Sequence, residues 1–284
     1  MSGHREIILK LNKNILYSLH TIYIRNIMRK KILSNPVINR ILCYAPDFSY
    51  IILRYWRSFN NINNYQYRAH EKSYCPFCEK WSYFLPAGSP PRIGAICPFC
   101  GLRERHRELY DIYQEFFSSR MDGKFVVYHM APEKGIYDYI LKQKNIHYIT
   151  GDFAPENFPF AKKCRYIDAT SMPFENESID VILSNHVMEH IPNESLFLQE
   201  MYRVLKNDGT IFLTIPFFKD QKITLENEKF NTNELRTKYY GQSDHVRKYG
   251  MDVFERLERY FSIKYHDDPS SDGMDNGGCF ILTK

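Results

Sequence analysis

Two identical tetrapeptides form the strongest chemical signal in the sequence. Cys75-Pro-Phe-Cys78 and Cys97-Pro-Phe-Cys100 are separated by 18 residues between the inner cysteines. Two residues between a pair of cysteines let both thiolates face one tetrahedral ion, and four thiolates complete its coordination shell. The pattern therefore predicts a structural zinc. Such units also recognise nucleic acid, but Arg92 is the only charge between Trp81 and Cys97, which disfavours that role.

Three carboxylates follow short apolar runs further along the chain. They are Glu133, Asp152 and Asp168. A parallel sheet binds a nucleotide at the carboxyl ends of its strands, and the 19 residues from Glu133 to Asp152 are close to the roughly 20 that precede a ribose-binding acid. The pattern predicts a nucleoside cofactor. In the alternative interpretation, Asp152 is a turn residue and Asp168 caps a helix.

The elements that would position these acids alternate between strand and helix, which predicts an α/β fold with a parallel sheet. The predicted strands are 125–130, 148–150, 165–167, 181–184 and 211–215, followed by 262–265 and 280–283. Helices are predicted over 135–142 and 253–260. A third has Leu198, Met201 and Val204 at helical spacing and ends in a turn at 207–209.

From Leu102 to Lys284 the chain resembles the class I S-adenosylmethionine-dependent methyltransferases, specifically the type 11 group. The resemblance is carried by three blocks: Ala169-Thr-Ser-Met-Pro-Phe174, Ser178-Ile-Asp-Val-Ile-Leu-Ser-Asn-His-Val-Met-Glu-His190, and Glu200-Met-Tyr-Arg-Val-Leu-Lys-Asn-Asp-Gly209. It implies a Rossmann-like sheet of seven strands whose last strand is antiparallel. The predicted architecture adds a small zinc-ribbon-like unit and an N-terminal helical arm.

The resemblance also implies the residues that bind S-adenosylmethionine. Asp152 would bind the ribose hydroxyls, Asp168 would contact the adenine amino group, and the first loop would pass under the methionine moiety. The full set implied is Ala131, Glu133, Gly135, Asp152, Asp168, Ala169 and Asn185. The sequence departs from the family in the first loop, where Met-Ala-Pro-Glu-Lys-Gly replaces a glycine-rich segment and leaves only Gly135. That loop must approach the cofactor differently.

Candidate catalytic residues occur in two later segments. Asp244 beside His245, with Arg247 two residues on, could orient a base and bind an acidic or hydroxyl-rich acceptor. His186 follows the fourth strand, where it could contribute to the active-site floor. His190 lies at a helix start and is interpreted as structural. The predicted catalytic residues are therefore His245, Asp244 and His186.

Charge divides the chain into unlike parts. Residues 1–60 hold ten Lys or Arg against Glu6 and Asp47, a net charge of +8, so a total of +5 leaves about −3 for the rest. The basic arm could meet an anionic membrane surface or a polyanion, or pack on the domain. The predicted boundaries are an arm and linker over 1–70, the zinc unit over 71–101 and the methyltransferase domain over 102–284.

Cysteine usage and hydropathy bear on location. Cys43, Cys164 and Cys279 are scattered, so the cysteine pattern indicates metal binding and a reducing compartment. No stretch reaches the roughly 18 apolar residues of a membrane span. The chain is predicted to be cytoplasmic, with the arm as a peripheral contact to the inner face of the membrane.

The most favoured function is O-methylation of a saccharide, glycolipid or other small hydroxyl acceptor. No Asn-Pro-Pro-Tyr tetrapeptide for amide or exocyclic amine acceptors and no Pro-Cys pair for cytosine carbon occurs. An RNA methyltransferase is the first alternative, although nucleic acid is the less favoured partner. The second is a zinc-bearing interaction module whose Rossmann domain binds without catalysis.

Overall fold

The fold is built on one seven-stranded sheet. The computed structural model describes residues 72–87, 92–119, 124–267 and 278–284. Its strands are β5 (Phe125–Met130), β6 (Ile146–Asp152), β7 (Arg165–Tyr166), β8 (Ile179–Asn185), β9 (Leu205–Thr214), β10 (Ser262–His266) and β11 (Cys279–Thr283). They lie in the order β10-β11-β9-β8-β5-β6-β7.

Strand directions match the predicted topology. The pairs β5·β6, β5·β8, β6·β7 and β8·β9 are parallel, whereas β11 is antiparallel to both β9 and β10. The chain runs outward from β5 through β6 to β7 and then returns to the other side of β5 to form β8. This reversal opens a crevice at the carboxyl ends of β5 and β8. The predicted α/β fold and its antiparallel last strand are confirmed.

Six helices accompany the sheet within the described residues. They are α1 (Glu104–Arg107), α2 (Leu109–Ser119), α3 (Lys134–Leu141), α4 (Glu194–Val204), α5 (Asn233–Tyr240) and α6 (Val253–Glu258). The predicted helical stripe in α4 is confirmed, because Leu198, Met201 and Val204 are buried in one core with Val253 and Leu257 of α6.

The turn predicted at 207–209 is wrong. Strand β9 begins at Leu205, directly after α4, and continues to Thr214. Ile179 pairs with Leu205 and Val181 with Thr210, so four residues on β9 face only one on β8. The polar segment is therefore accommodated as an irregularity within the strand and does not separate two elements.

The two cysteine motifs lie on a pair of small antiparallel sheets. One pairs β1 (Ser73–Cys75) with β2 (Lys80–Ser82), and the other pairs β3 (Leu85–Ala87) with β4 (Arg92–Ile96). Phe77, between the first two cysteines, is buried and makes edge contacts with Tyr110, Tyr113 and Tyr139, at centroid distances of 5.2, 6.4 and 5.4 Å. The cysteine unit thus shares a core with α2 and α3.

The basic arm predicted over residues 1–70 lies outside the described residues. In the described part of the chain, no helix has the length and apolar character needed to cross a membrane.

Candidate functional site

The four motif cysteines converge on one point. Sγ of Cys75 lies 3.5 Å from Sγ of Cys100, and Sγ of Cys78 lies 3.6 Å from Sγ of Cys97. All four sulfurs lie within 4.8 Å of one another, and none forms a disulfide. Zinc–sulfur bonds of about 2.3 Å place tetrahedral sulfurs about 3.8 Å apart. The spacing and chemistry of these donors fit a zinc ion, and the closed thiolate set leaves no open position for a substrate.

A cavity of about 780 Å³ opens at the carboxyl ends of β5, β6 and β8. Its wall includes Ala131 after β5, Asp152 at the end of β6 and Asp168 after β7. Strands β5, β6 and β7 therefore each deliver one predicted residue to the same cavity. Ala169, also predicted for the cofactor, lines it beside Asp168.

Asp152 and Asp168 are each held by a local backbone contact. Asp152 Oδ1 accepts a hydrogen bond from the Ala154 amide at 2.7 Å, and Asp168 Oδ1 accepts from the amide and hydroxyl of Thr170 at 2.8 and 2.7 Å. The hydrogen bonds from Thr170 lower the pKa of Asp168. Asp152 thus makes the turn contact of the alternative interpretation, whereas Asp168 lies in a turn and caps no helix, and both acids also line the cavity. These turns fix the carboxylates without removing them from it.

The first loop begins in an unusual backbone conformation. Ala131, directly after β5, has φ +45°, in the left-handed region that glycine adopts more readily. Gly135 lies in the first turn of α3 and does not line the cavity. A Cβ atom there would come within 2.5 Å of Leu102 Cδ1, so this glycine permits close packing of the helix against the chain that follows Cys100. The structure thus gives Gly135 a role in packing, and its contact with a cofactor stays a prediction.

Glu133 lies in a buried polar network behind the cavity wall. Its Oε2 accepts from His129 Nε2 at 2.9 Å and from Asn185 Nδ2 at 3.3 Å, and Tyr148 contacts the other His129 nitrogen at 2.8 Å. Burial opposes ionisation, but the bond from His129 and the nearby charge of His106 outweigh it and lower the pKa of Glu133 to about 2. Glu133 and Asn185, both predicted to bind the cofactor, do not line the cavity and join this network behind it.

His106, in α1, is a buried member of this network. Its Nε2 lies 3.7 Å from Glu133 Oε1. Burial lowers the pKa of His106 from 6.5 to about 3, and the Glu133 carboxylate only partly opposes this effect. One signal for the network is visible in the sequence, because His129 is a charged-type residue in an otherwise apolar strand.

The depressed pKa of His106 predicts acid sensitivity. Between pH 6.5 and 3 the unfolded chain binds a proton at His106 that the native protein does not, so the free energy of unfolding falls as pH decreases. The expected loss from this group between pH 7 and 5 is about 2 kcal/mol. Urea denaturation of wild type and His106→Gln at both pH values measures it. Equal pH dependence of the two proteins would contradict the prediction.

On the side opposite Asp152, the cavity is lined by His186, His190 and Asp244, here called the histidine wall. His186 follows β8 directly with φ +53°, and its Nδ1 lies 3.2 Å from Glu189 Oε1. Glu189 is 1% exposed, and burial opposes its ionisation, but the hydrogen bond from His186 lowers its pKa overall. The predicted residue His186 is thus oriented by a carboxylate that the sequence analysis did not single out.

His190 and His245 pack edge to face, with ring centroids 4.8 Å apart. His190 lines the cavity, whereas His245 is buried behind it and does not. The backbone of Tyr240 bonds the His245 ring, and burial lowers the pKa of His245. Asp244 Oδ2 instead lies 3.5 Å from His190 Nδ1, so the expected pairing of Asp244 with His245 is replaced by one with His190.

The suggestion that Arg247 binds an acceptor is wrong. Its side chain is 1% exposed and donates to the carbonyl oxygens of Met188, Ile191 and Pro192 at 3.2, 2.7 and 2.9 Å. It also donates to Glu226 at 2.8 Å. Arg247 therefore braces the segment after β8 against the segment that carries His245.

Comparison with protein families identifies part of this region. A family model described as a methyltransferase domain matches residues 131–213, from the first loop to the end of β9. The match spans the loops that supply Ala131, Asp152, Asp168 and His190 to the cavity. Residues 131–213 are therefore similar to a methyltransferase domain. No curated protein matches the sequence.

Solved structures match part of the chain at low sequence identity. A Pyrococcus horikoshii protein is 15% identical, with a TM-score of 0.45, over 63% of this chain and 91% of its own. Burkholderia thailandensis 1,6-didemethyltoxoflavin-N1-methyltransferase, solved with 1,6-didemethyltoxoflavin and S-adenosylhomocysteine, is 14% identical. Its TM-score is 0.43, and the match covers 64% of this chain and 78% of that one.

Proposed function

We propose that this protein is an S-adenosylmethionine-dependent methyltransferase that O-methylates a saccharide, glycolipid or other small hydroxyl compound. The observation that carries the proposal is one cavity with carboxylates from the ends of two neighbouring strands on one side and the histidine wall on the other. The methyltransferase-domain match across the same loops supports it.

Residues on the carboxylate side suit a nucleoside. Asp152 Oδ1 is bonded to its own turn, and Oδ2 makes no hydrogen bond to any described residue, so it is available to accept from ribose hydroxyls. Phe153, next to Asp152 in the chain, is 67% exposed and lines the cavity, where its ring offers an apolar face for a base. When bound, S-adenosylmethionine supplies an electrophilic methyl group on a sulfonium.

The histidine wall suits an acceptor whose proton must be removed. A hydroxyl oxygen becomes a good nucleophile only as it loses its proton, whereas an amine needs only to be unprotonated. His190 is the most exposed histidine of the wall, with 30% of its side chain accessible. Its Nδ1 lies 3.2 Å from the carbonyl oxygen of Asp244 and donates to it, which leaves the Nε2 lone pair available.

An uncharged acceptor also agrees with the charge of the domain. Residues 1–60 carry a net charge of +8 and the whole chain +5, so the chain beyond residue 60 carries about −3. Binding to a nucleic acid backbone normally requires a clustered positive surface. This balance favours a neutral hydroxyl compound over an RNA base.

We further propose that Cys75, Cys78, Cys97 and Cys100 bind one structural zinc. The sulfur spacing and the closed donor set support this assignment. Gly135 packs against Leu102 and Cys100, so the unit also supports the first turn of the helix that follows the cofactor loop.

Cofactor binding tests the proposal. Replacing Asp152 with alanine is expected to weaken S-adenosylmethionine binding by about 2 kcal/mol, a roughly 30-fold rise in Kd, because a charged acceptor of hydrogen bonds is lost. Isothermal titration calorimetry measures the change. Asp220→Ala, at an exposed position away from the cavity, serves as the matched control. If wild-type protein gives no heat with millimolar cofactor, the catalytic proposal fails and a binding module replaces it.

A further inference from the structure

We infer that Glu189, His190 and His245 bind one divalent transition-metal cation at the histidine wall, distinct from the proposed zinc at the four cysteines. The role of this ion, which is to activate an acceptor hydroxyl, rests on the proposed function. The evidence for the ion is independent of that function and comes from the arrangement of these three side chains.

The three side chains converge as a metal-binding set does. One ligand atom from each lies within 4.8 Å of the others. Glu189 and His190 are adjacent in the short 3₁₀ segment after β8, and His245 arrives from the segment after α5. The Val246 amide donates to the Glu189 carbonyl at 3.0 Å, which joins the two segments beside the ligand atoms. A carboxylate with two imidazoles is a recurring set for transition metals.

An unpartnered oxygen provides the second observation. Glu189 is 1% exposed, and its Oε1 contacts His186. Its Oε2 is fully buried and has no hydrogen-bond partner within the described residues. A carboxylate oxygen buried without a partner is costly, and a cation between it and the two imidazoles would remove that cost.

Both imidazole rings have a nitrogen fixed by a neighbouring carbonyl. His190 Nδ1 lies 3.2 Å from the Asp244 carbonyl oxygen, and the His245 ring is bonded by the backbone of Tyr240. Metal-binding histidines usually donate their second ring N–H in this way, which orients the ring and leaves the other nitrogen as the ligand. The second shell expected of a metal site is therefore present.

Three protein ligands leave coordination positions open, unlike the four-thiolate set. Because His190 also lines the cavity, an ion bound to it would lie next to the space that an acceptor hydroxyl enters. Coordination lowers the pKa of an O–H group, and its proton leaves to solvent water in the open cavity. The acceptor oxygen then forms the O–CH₃ bond as the S–CH₃ bond breaks, and the electron pair of that bond remains on sulfur as a neutral thioether.

Manganese binding by the full chain tests the inference without requiring methyl transfer. Mn²⁺ suits a site with a carboxylate ligand and, as the weakest binder of the divalent series, does not displace zinc from thiolates, so the two sites are separable. Electron paramagnetic resonance of free Mn²⁺, with calorimetry, should show saturable binding of one ion per chain. Glu189→Gln, His245→Gln and the half-exposed His190→Gln should each weaken it at least tenfold. His147→Gln, at an exposed position on β6, should not.

The outcomes separate this inference from the proposed function. Absence of saturable Mn²⁺ binding, or binding that survives all three ligand substitutions unchanged, overturns the metal site even if S-adenosylmethionine binds. Loss of Mn²⁺ binding in His190→Gln, with the fold retained by circular dichroism, supports it even if Glu189→Gln fails to fold. Failure of cofactor binding in a protein that holds Mn²⁺ rejects only the methyltransferase proposal.

Discussion

Replacing Cys97 with serine is expected to lower the free energy of unfolding by about 4 kcal/mol or more and to release the metal. Cys97 is fully buried, and its sulfur lies 3.6 Å from that of Cys78. Serine cannot supply the fourth thiolate. Elemental analysis should give one zinc per wild-type chain and less for the variant, and urea denaturation measures the loss of stability.

The damage should extend beyond the cysteine unit. Cys97 and Phe77 belong to the same buried cluster as Tyr113 of α2, Val127 of β5 and Ile136 of α3. Loss of the metal therefore removes packing from one face of the sheet and from the helix after the cofactor loop. A matched control is Cys164→Ser, at a partly buried cysteine outside the cluster, which should change stability by less than about 1 kcal/mol. A Cys97→Ser protein with one zinc and an unchanged denaturation midpoint would reject the site.

Replacing His190 with glutamine is expected to lower turnover about 10²-fold while S-adenosylmethionine affinity is retained. His190 lines the cavity on the side opposite Asp152 and contacts both Asp244 and His245. Removing its imidazole leaves the acceptor without the group that assists release of the hydroxyl proton. The substitution therefore slows the chemical step. Initial rates of label transfer from radiolabelled cofactor measure turnover, and calorimetry measures affinity.

His147→Gln provides the control for this substitution, because His147 is an exposed histidine on β6 outside the cavity wall. Its turnover should equal that of wild type. Equal turnover in His190→Gln would exclude a catalytic role for His190. A parallel loss of cofactor affinity would show that the wall positions the cofactor and does not act on the acceptor.

The sequence predicted the sheet because its signals are local. Short apolar runs mark buried parallel strands, and residues 125–130 coincide with β5. The same signals located the strand ends that supply Asp152 and Asp168 to one cavity. The prediction of a turn at 207–209 failed because a polar segment can also form an irregularity inside a strand. Which of the two forms depends on how the segment pairs with its partner strand.

The polar groups around the cavity were harder to predict because their roles depend on long-range packing. Glu133 and Asn185 follow strands, as cofactor ligands do, but both face a buried network with His129. Arg247 looked like a substrate ligand and is enclosed by carbonyl oxygens from the segment after β8. Only the folded chain brings residue 189 beside residue 245, so no local spacing could have revealed that pair.

Incubation of the full chain with radiolabelled S-adenosylmethionine and a cell extract tests the central claim most directly. The extract is divided afterwards into RNA, protein, and combined lipid and saccharide fractions. The account predicts label in the lipid and saccharide fraction, in a form stable to mild base as an ether is, and none with heat-inactivated protein. Label in RNA with none in the lipid or saccharide fraction would contradict a saccharide, glycolipid or small hydroxyl acceptor, and no label in any fraction despite cofactor binding would contradict methyl transfer itself.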